Sequence, residues 1–234
     1  MIQQLLATFA PMLLGAQLIL TMVLVKGEIC PGQRGRVHKM LTPLVVLWLA
    51  VASLKIEAFM IAAAIGYFYS QVQTGKTREK GPLWLLYLAN GLALAYVGIM
   101  MGEQDSVASA ANILVQVLLL GGCFGQLLLV VARSRLQAFQ RILPVVGVLA
   151  AMLTAMTLVF QAFSLSEEAL LAISLPTILG MILLISAVVV WCFHLFTTKA
   201  VSKGQLGFAL VILVVVTVVN QPLFQQVFSQ QIVS

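Results

Sequence analysis

The stretch 41–70, LTPLVVLWLAVASLKIEAFMIAAAIGYFYS, decides how this chain is threaded. It is apolar on both flanks and carries Lys55 and Glu57 at its centre. A membrane-spanning helix needs about 20 mainly apolar residues, so one long tilted span accommodates the whole stretch. A reversal near residue 55 would leave arms of about 20 Å at the 1.5 Å rise of a helix, too short to cross. No Gly, Pro or Asn marks a turn there. The expected reading is one span, with a re-entrant hairpin as the alternative.

The rest of the chain sets the class. It has 234 residues, of which 62% are apolar and 9% charged, and its mean hydropathy is +1.09. Soluble domains carry about 25% charge. This composition excludes a soluble globular enzyme, a disordered tail and a nucleic-acid binder. It specifies an all-α polytopic bundle in which the lipid bilayer is the main partner. Seven stretches have the length and apolarity of spans: 4–25, 41–70, 83–101, 107–131, 142–163, 169–196 and 206–224. Together they make 1–234 a single transmembrane domain with short loops. The first stretch lacks a basic n-region and a small-x-small cleavage site, so it reads as an uncleaved span and not a signal peptide.

Local signals agree with these limits. Pro82 and Pro144 are expected in the first turns of their spans. Asp105 or Ser106 can cap the fourth, and Ser164 with Glu167 has capping-box spacing before the sixth. Pro11, Pro176 and Pro222 predict kinks. No internal repeat is visible, which argues against a transporter built from two inverted halves.

The net charge of +6 follows from Lys and Arg in the connections. Segments 71–82, 132–141 and 197–205 are basic, whereas the loops at Glu103/Asp105 and Glu167/Glu168 have no Lys or Arg. The positive-inside rule makes the basic loops cytoplasmic, as in a bacterial inner-membrane (plasma-membrane) protein. Lys26, Arg34, Arg36 and Lys39 break the pattern if 41–70 is one span. That topology puts the first loop and the C-terminus outside and the N-terminus inside.

Few residues depart from the apolar rule. An ionisable group at mid-membrane costs at least ~2.5–3.5 kcal/mol and usually faces the bundle interior. Lys55 and Glu57 are 200° apart on a helix, so at least one of them is expected to pair with another span or with water in a cavity. Asn112 and Gln116 lie one turn apart on the fourth span, followed by Cys123 and Gln126, with Gly121, Gly122 and Gly125 beside them. Lys55, Glu57, Asn112 and Gln116 are the candidates for a solute or ion path. The plainer account is a hydrated structural pair or the exposed turn of a hairpin for Lys55 and Glu57, and interhelical hydrogen bonds for the polar stripe. Gly91, Ala95, Gly98 and Gly102 form a small-residue row on the third span, and Ala58, Ala62 and Gly66 form another on the second. Such rows let helices approach closely, within the chain or against a membrane-protein partner or second copy. Gln17, Asn90, Gln161 and Asn220 read as isolated packing or interfacial residues.

His38 and His194 are the only histidines, and a bis-histidine haem needs both at one depth. No cofactor is expected; haem is the weakest reading. Cys30, Cys123 and Cys192 form no C-x-x-C, so no metal site is expected. No P-loop, H-E-x-x-H or G-x-S-x-G occurs, so nothing points to an enzyme. The leading expectation is a small transporter or channel. The rival is a non-catalytic subunit or assembly factor of a larger membrane complex.

Overall fold

The computed structural model describes residues 2–74, 81–134, 137–197 and 201–231. Side chains are described for 3–72, 81–134, 138–197 and 201–224. The described residues form helices α1 (Ile2–Lys26), α2 (Pro31–Lys39), α3 (Leu41–Ala52), α4 (Ala58–Thr74), α5 (Leu83–Gly102), α6 (Val107–Val131), α7 (Gln137–Phe163), α8 (Glu167–Phe196) and α9 (Lys203–Gln231). Seven segments are long and apolar enough to cross a membrane, with Pro31–Ala52 counted as one, and Ala58–Val72 is a shorter apolar helix. The chain is an integral membrane helix bundle.

The stretch 41–70 is not one helix. It breaks between Ala52 and Ala58, and α4 runs back along α3. His38 at the end of α2 meets Phe68 near the end of α4, ring centroids 5.6 Å apart, which fixes the two arms as antiparallel. The turn needs no Gly or Pro. Leu54 N–H donates to Val51 O at 2.9 Å, closing α3, and Phe59 N–H donates to Ile56 O at 2.9 Å, opening α4. Ser53 Oγ donates to Ala50 O at 2.6 Å. The physical cause is the charge pair. Reversal carries Lys55 and Glu57 to the end of the bundle, where both reach solvent, and so removes the cost of burying them in lipid. The first arm is also longer than its apolar run. α2 precedes α3 almost without interruption, giving 22 residues, or about 33 Å. The seam at Met40 follows from Pro43, which lacks the N–H that Lys39 O would accept.

With this reversal the two ends of the bundle separate by charge. Arg36 Nε donates to Ala132 O at 2.9 Å, placing α2 beside the last turn of α6. His194 Nε2 lies 3.2 Å from Gln140 O, joining the end of α8 to the start of α7. Lys26, Arg34, Arg36, Lys39, Arg133, Arg141 and Lys203 therefore share one end. Lys55, Glu57, Glu103, Asp105, Glu167 and Glu168 share the other. The first basic loop is at the same end as the others, not opposite them. The start of α1 and the end of α9 both lie at the acidic end. Lys76, Arg78, Lys80, Arg135 and Lys199 lie outside the described residues.

α1 and α6 are the most buried helices, and α8 is mainly on the outside. α1 and α6 run parallel and cross at Gly15 and Gly121. A Cβ built on Gly15 would collide with Val117 O and sit 2.7 Å from Gly121 Cα. Gly125 receives Ile19 one turn on. Trp191 of α8 is fully buried in a slot formed by Gly122 and Gly147. The α5 row behaves differently. A Cβ at Gly91, Gly98 or Gly102 would meet nothing within 4 Å, and Ala95 is exposed. That row faces outward and holds no helices together within the chain. Ala58 and Ala62 are buried, while a Cβ at Gly66 would also meet nothing.

Two helix starts differ from expectation. α7 begins at Gln137, so Pro144 lies inside it and not in its first turn. α8 is capped by Ser166, whose side chain accepts from Ala169 N–H at 3.4 Å, and Ser164 Oγ donates back to Gln161 O of α7. Ser106 caps α6, accepting from Ser109 N–H at 3.0 Å.

Gly121→Ala is expected to destabilise the bundle by about 1–3 kcal/mol through overpacking, and Gly98→Ala to change stability by less than about 0.5 kcal/mol. Thermal unfolding in detergent measures both, and equal effects would contradict the crossing. Lys55 pairs with Glu103 at a half-exposed site, so Lys55→Ala is expected to cost under about 1 kcal/mol in the same assay.

Candidate functional site

A cavity of about 140 Å³ lies between α1, α5, α6 and α9 in the acidic-end half of the bundle. Its polar wall is Thr8 from α1, Gln104 just beyond α5, Ser109, Asn112 and Gln116 from α6, and Thr217 and Gln221 from α9. Ala7, Pro11, Met100, Ile113 and Phe224 complete it. None of these residues is ionisable. The spacing on α6 explains its contribution: 109, 112, 113 and 116 follow one helix face. On α9, 217, 221 and 224 do the same. By liquid volume the space equals about four or five waters. Toward the basic end it stops where α1 and α6 touch at Gly15 and Gly121.

Several of these groups are already engaged. Thr8 Oγ1 donates to Leu5 O at 2.7 Å and Thr217 Oγ1 to Leu213 O at 2.9 Å. Gln104 Nε2 donates to Met100 O at 3.0 Å. Behind the wall, Ser106 Oγ donates to Gln161 Oε1 at 2.9 Å, and Thr157 Oγ1 lies 3.3 Å from the Asn112 amide. Gln221 Oε1 is buried with no donor.

The four path candidates divide into two places. Asn112 and Gln116 line the cavity. Lys55 and Glu57 line a separate, shallower cleft of about 370 Å³, with Tyr96, Ile99 and Glu103. Met100 borders both spaces, so they are neighbours across the end of α5. Lys55 Nζ is ion-paired with both oxygens of Glu103. The premise that these charges sit at mid-membrane is corrected: both are in the turn between α3 and α4.

The lower half of the α6 stripe has a different task. Trp191 Nε1 donates to Gln126 Oε1 at 2.7 Å, and Cys123 Sγ lies 3.9 Å from Leu206 O. Gln17 and Asn90 are not isolated. Gln17 Nε2 donates to Asn90 Oδ1 at 2.9 Å, and Trp48 Nε1 donates to Gln17 Oε1 at 3.0 Å. This chain ties α1, α5 and α3 together just below the cavity. Trp48 also meets Tyr96 edge-on at 5.9 Å. The indoles were the missing signal, since a buried Trp brings an N–H that must find an acceptor. Asn220 packs against Gly180 with both amide atoms buried and unpartnered.

His38 and His194 lie at the basic end. His38 is buried against Phe68 with neither ring nitrogen partnered. His194 has Trp191 O at 2.9 Å from Nδ1 and Gln140 O at 3.2 Å from Nε2. Among the described residues, no three His, Cys, Asp or Glu side chains are grouped to hold a metal ion.

Comparison with known proteins adds the family. An uncharacterized protein of Haemophilus influenzae is 29% identical over 153 residues, covering 61% of this chain and 57% of that protein. The matched stretch therefore spans little more than half of the relative. No solved structure matches significantly. A family model described as an integral membrane domain matches residues 1–224. That match covers nearly the whole bundle, from α1 into α9, and the chain belongs to this integral membrane domain family.

Proposed function

We propose that this protein binds a small hydrogen-bonding solute in the cavity between α1, α5, α6 and α9 and carries it across the membrane. One observation supports the reading above the others: a space lined by seven neutral hydrogen-bonding side chains and left unfilled by the bundle. A polar group inside a bilayer is costly unless it has a partner or a task. A polar face that served packing alone would be filled by neighbouring side chains, as at Gln17, Asn90 and Trp48.

The form of the site suits alternating access. The cavity lies toward the acidic end and is floored by the α1–α6 crossing. Pro11 stands in its wall, and Pro222 follows Gln221 directly. Proline removes a helix hydrogen bond and allows bending at that point. Movement of the outer parts of α1 and α9 about these positions would open or close the site. The concentration of Lys and Arg at one end supports a cytoplasmic basic end in an inner membrane, with the cavity facing the other side.

A reading as a subunit of a larger complex, or as a homo-oligomer, draws on the outward row Gly91, Ala95, Gly98 and Gly102. It ranks second, because lipid chains cover such a face as readily as a protein does.

Shrinkage and re-swelling of proteoliposomes, followed by light scattering with glycerol, urea and methylammonium in turn, tests the carrier reading. At least one solute is expected to enter faster than in protein-free vesicles. Asn112→Leu and Gln116→Leu are each expected to lower that rate about tenfold, the effect of one lost hydrogen bond in a closed site. Entry no faster than in protein-free vesicles for all three solutes would overturn it.

A further inference from the structure

We propose that the solute is a small ammonium, either the bare ion or a short primary alkylammonium; this deepens the carrier reading and rests on it. The argument is an accounting of protons around the cavity. A hydroxyl has one proton to donate and two lone pairs to accept with. Thr8 and Thr217 give their protons to Leu5 O and Leu213 O of their own helices. Ser106 gives its proton to Gln161 Oε1, so the 2.8 Å contact between the Ser106 and Ser109 hydroxyls takes the proton of Ser109. All three hydroxyls in the wall therefore turn only lone pairs toward the space.

The remaining side chains are amides; Gln104, Gln116 and Gln221 carry both donors and acceptors and can present an oxygen. Thr157 Oγ1 lies 2.8 Å from Thr154 O and 3.3 Å from the Asn112 amide. Asn112 Oδ1 faces Thr157, and the amide as a whole carries both donors and acceptors. Pro11 has no N–H, which leaves the Ala7 carbonyl at the cavity wall without its usual donor four residues on. The three hydroxyls and the Ala7 carbonyl are completed by a solute rich in donors, and an ammonium carries donors and no acceptor.

Charge acts in the same direction. Glu57, Glu103, Asp105, Glu167 and Glu168 lie at the end toward which the cavity faces, and Lys55 is held by Glu103. An excess of negative charge raises the local concentration of cations. Inside, neutral oxygen dipoles replace the hydration shell of the ion, as carbonyls do in cation filters. An amine on a phospholipid headgroup would bring its phosphate against Glu103 and Asp105, so the solute is a free one. The volume of about 140 Å³ admits methylammonium or ethylammonium.

Titration calorimetry tests this on the full chain in phosphatidylcholine nanodiscs, with methylammonium, tetramethylammonium and urea as probes. Methylammonium is expected to bind saturably. Tetramethylammonium, with the same charge and no N–H, is expected to bind at least about tenfold more weakly. Thr217→Val removes an acceptor at constant shape and is expected to weaken methylammonium about tenfold, with Thr217→Ser restoring it. Thr8→Val is the second variant should the first not fold. Equal binding of tetramethylammonium, or no binding of methylammonium, overturns the ammonium assignment. Saturable urea binding without methylammonium binding overturns the assignment and leaves the carrier reading standing. Silence of all three probes together with absence of flux overturns both.

Discussion

The close parallel crossing of α1 and α6 at Gly15 and Gly121 is the constraint on which the rest of the molecule depends. Here backbone meets backbone, and neither glycine has room for a methyl group. In lipid, helices gain little from hydrophobic burial against one another, because lipid tails are as apolar as leucine. What remains is close contact over many atoms, each worth ~0.1–0.2 kcal/mol. Two adjacent glycines maximise that contact. They also fix the relative height of α1 and α6, and with it everything placed along them. Above the crossing, Thr8 comes opposite Ser109 and Asn112, and the cavity opens. Below it, Gln17 reaches Asn90 and Trp48, while Gln126 receives Trp191.

The buried amides below and above the crossing thus differ in kind. Gln17 and Asn90 have partners within the bundle and seal it, and Gln126 Oε1 accepts from Trp191 while its Nε2 is buried without a partner. Hydrogen bonds of this type in membranes average ~0.6 kcal/mol, so their weight lies as much in not leaving a polar atom alone in hydrocarbon. Asn112, Gln116 and Gln221 face a space that other side chains do not fill. That contrast within one bundle is what supports a solute site there. The same contrast moves attention away from Lys55 and Glu57, whose position in an exposed turn removes any need for a task inside the membrane.

The helical membrane fold was legible because it rests on sums over long windows. Six of the seven apolar stretches survive as helices, with ends within a few residues except at the start of α7 and the end of α9. The seventh was misread for two physical reasons. α2 is rich in Arg, Gly and Gln, so the hydropathy of 31–39 hides a helix that continues α3. The reversal is made by two charges that avoid lipid, and not by turn residues. Half of the candidate site was legible too: the spacing of Asn112 and Gln116 is visible on one helix, whereas Thr8, Thr217 and Gln221 join them only through three-dimensional packing. The small-residue rows show the same limit. Periodicity finds a face but not what covers it, and the α5 row faces outward while Gly15 and Gly147, which no row marks, make tight contacts.

The reversal at 53–57 sorts the charges into two ends and decides which end the cavity faces. The most direct measurement is labelling of intact cells, with the outer membrane permeabilised if there is one, by an impermeant maleimide in a Cys123→Ala, Cys192→Ala background. Cys30 is exposed in the connection between α1 and α2, and Ser53 is exposed in the turn. A Ser53→Cys thiol (with Cys30→Ala) is expected to label from outside. Native Cys30, and Thr197→Cys in a Cys30→Ala chain, should label only after the inner membrane is opened. A Ser53→Cys thiol that stays unreactive from both sides would place residue 53 within the bilayer, as a single span over 41–70 requires, and would contradict the account.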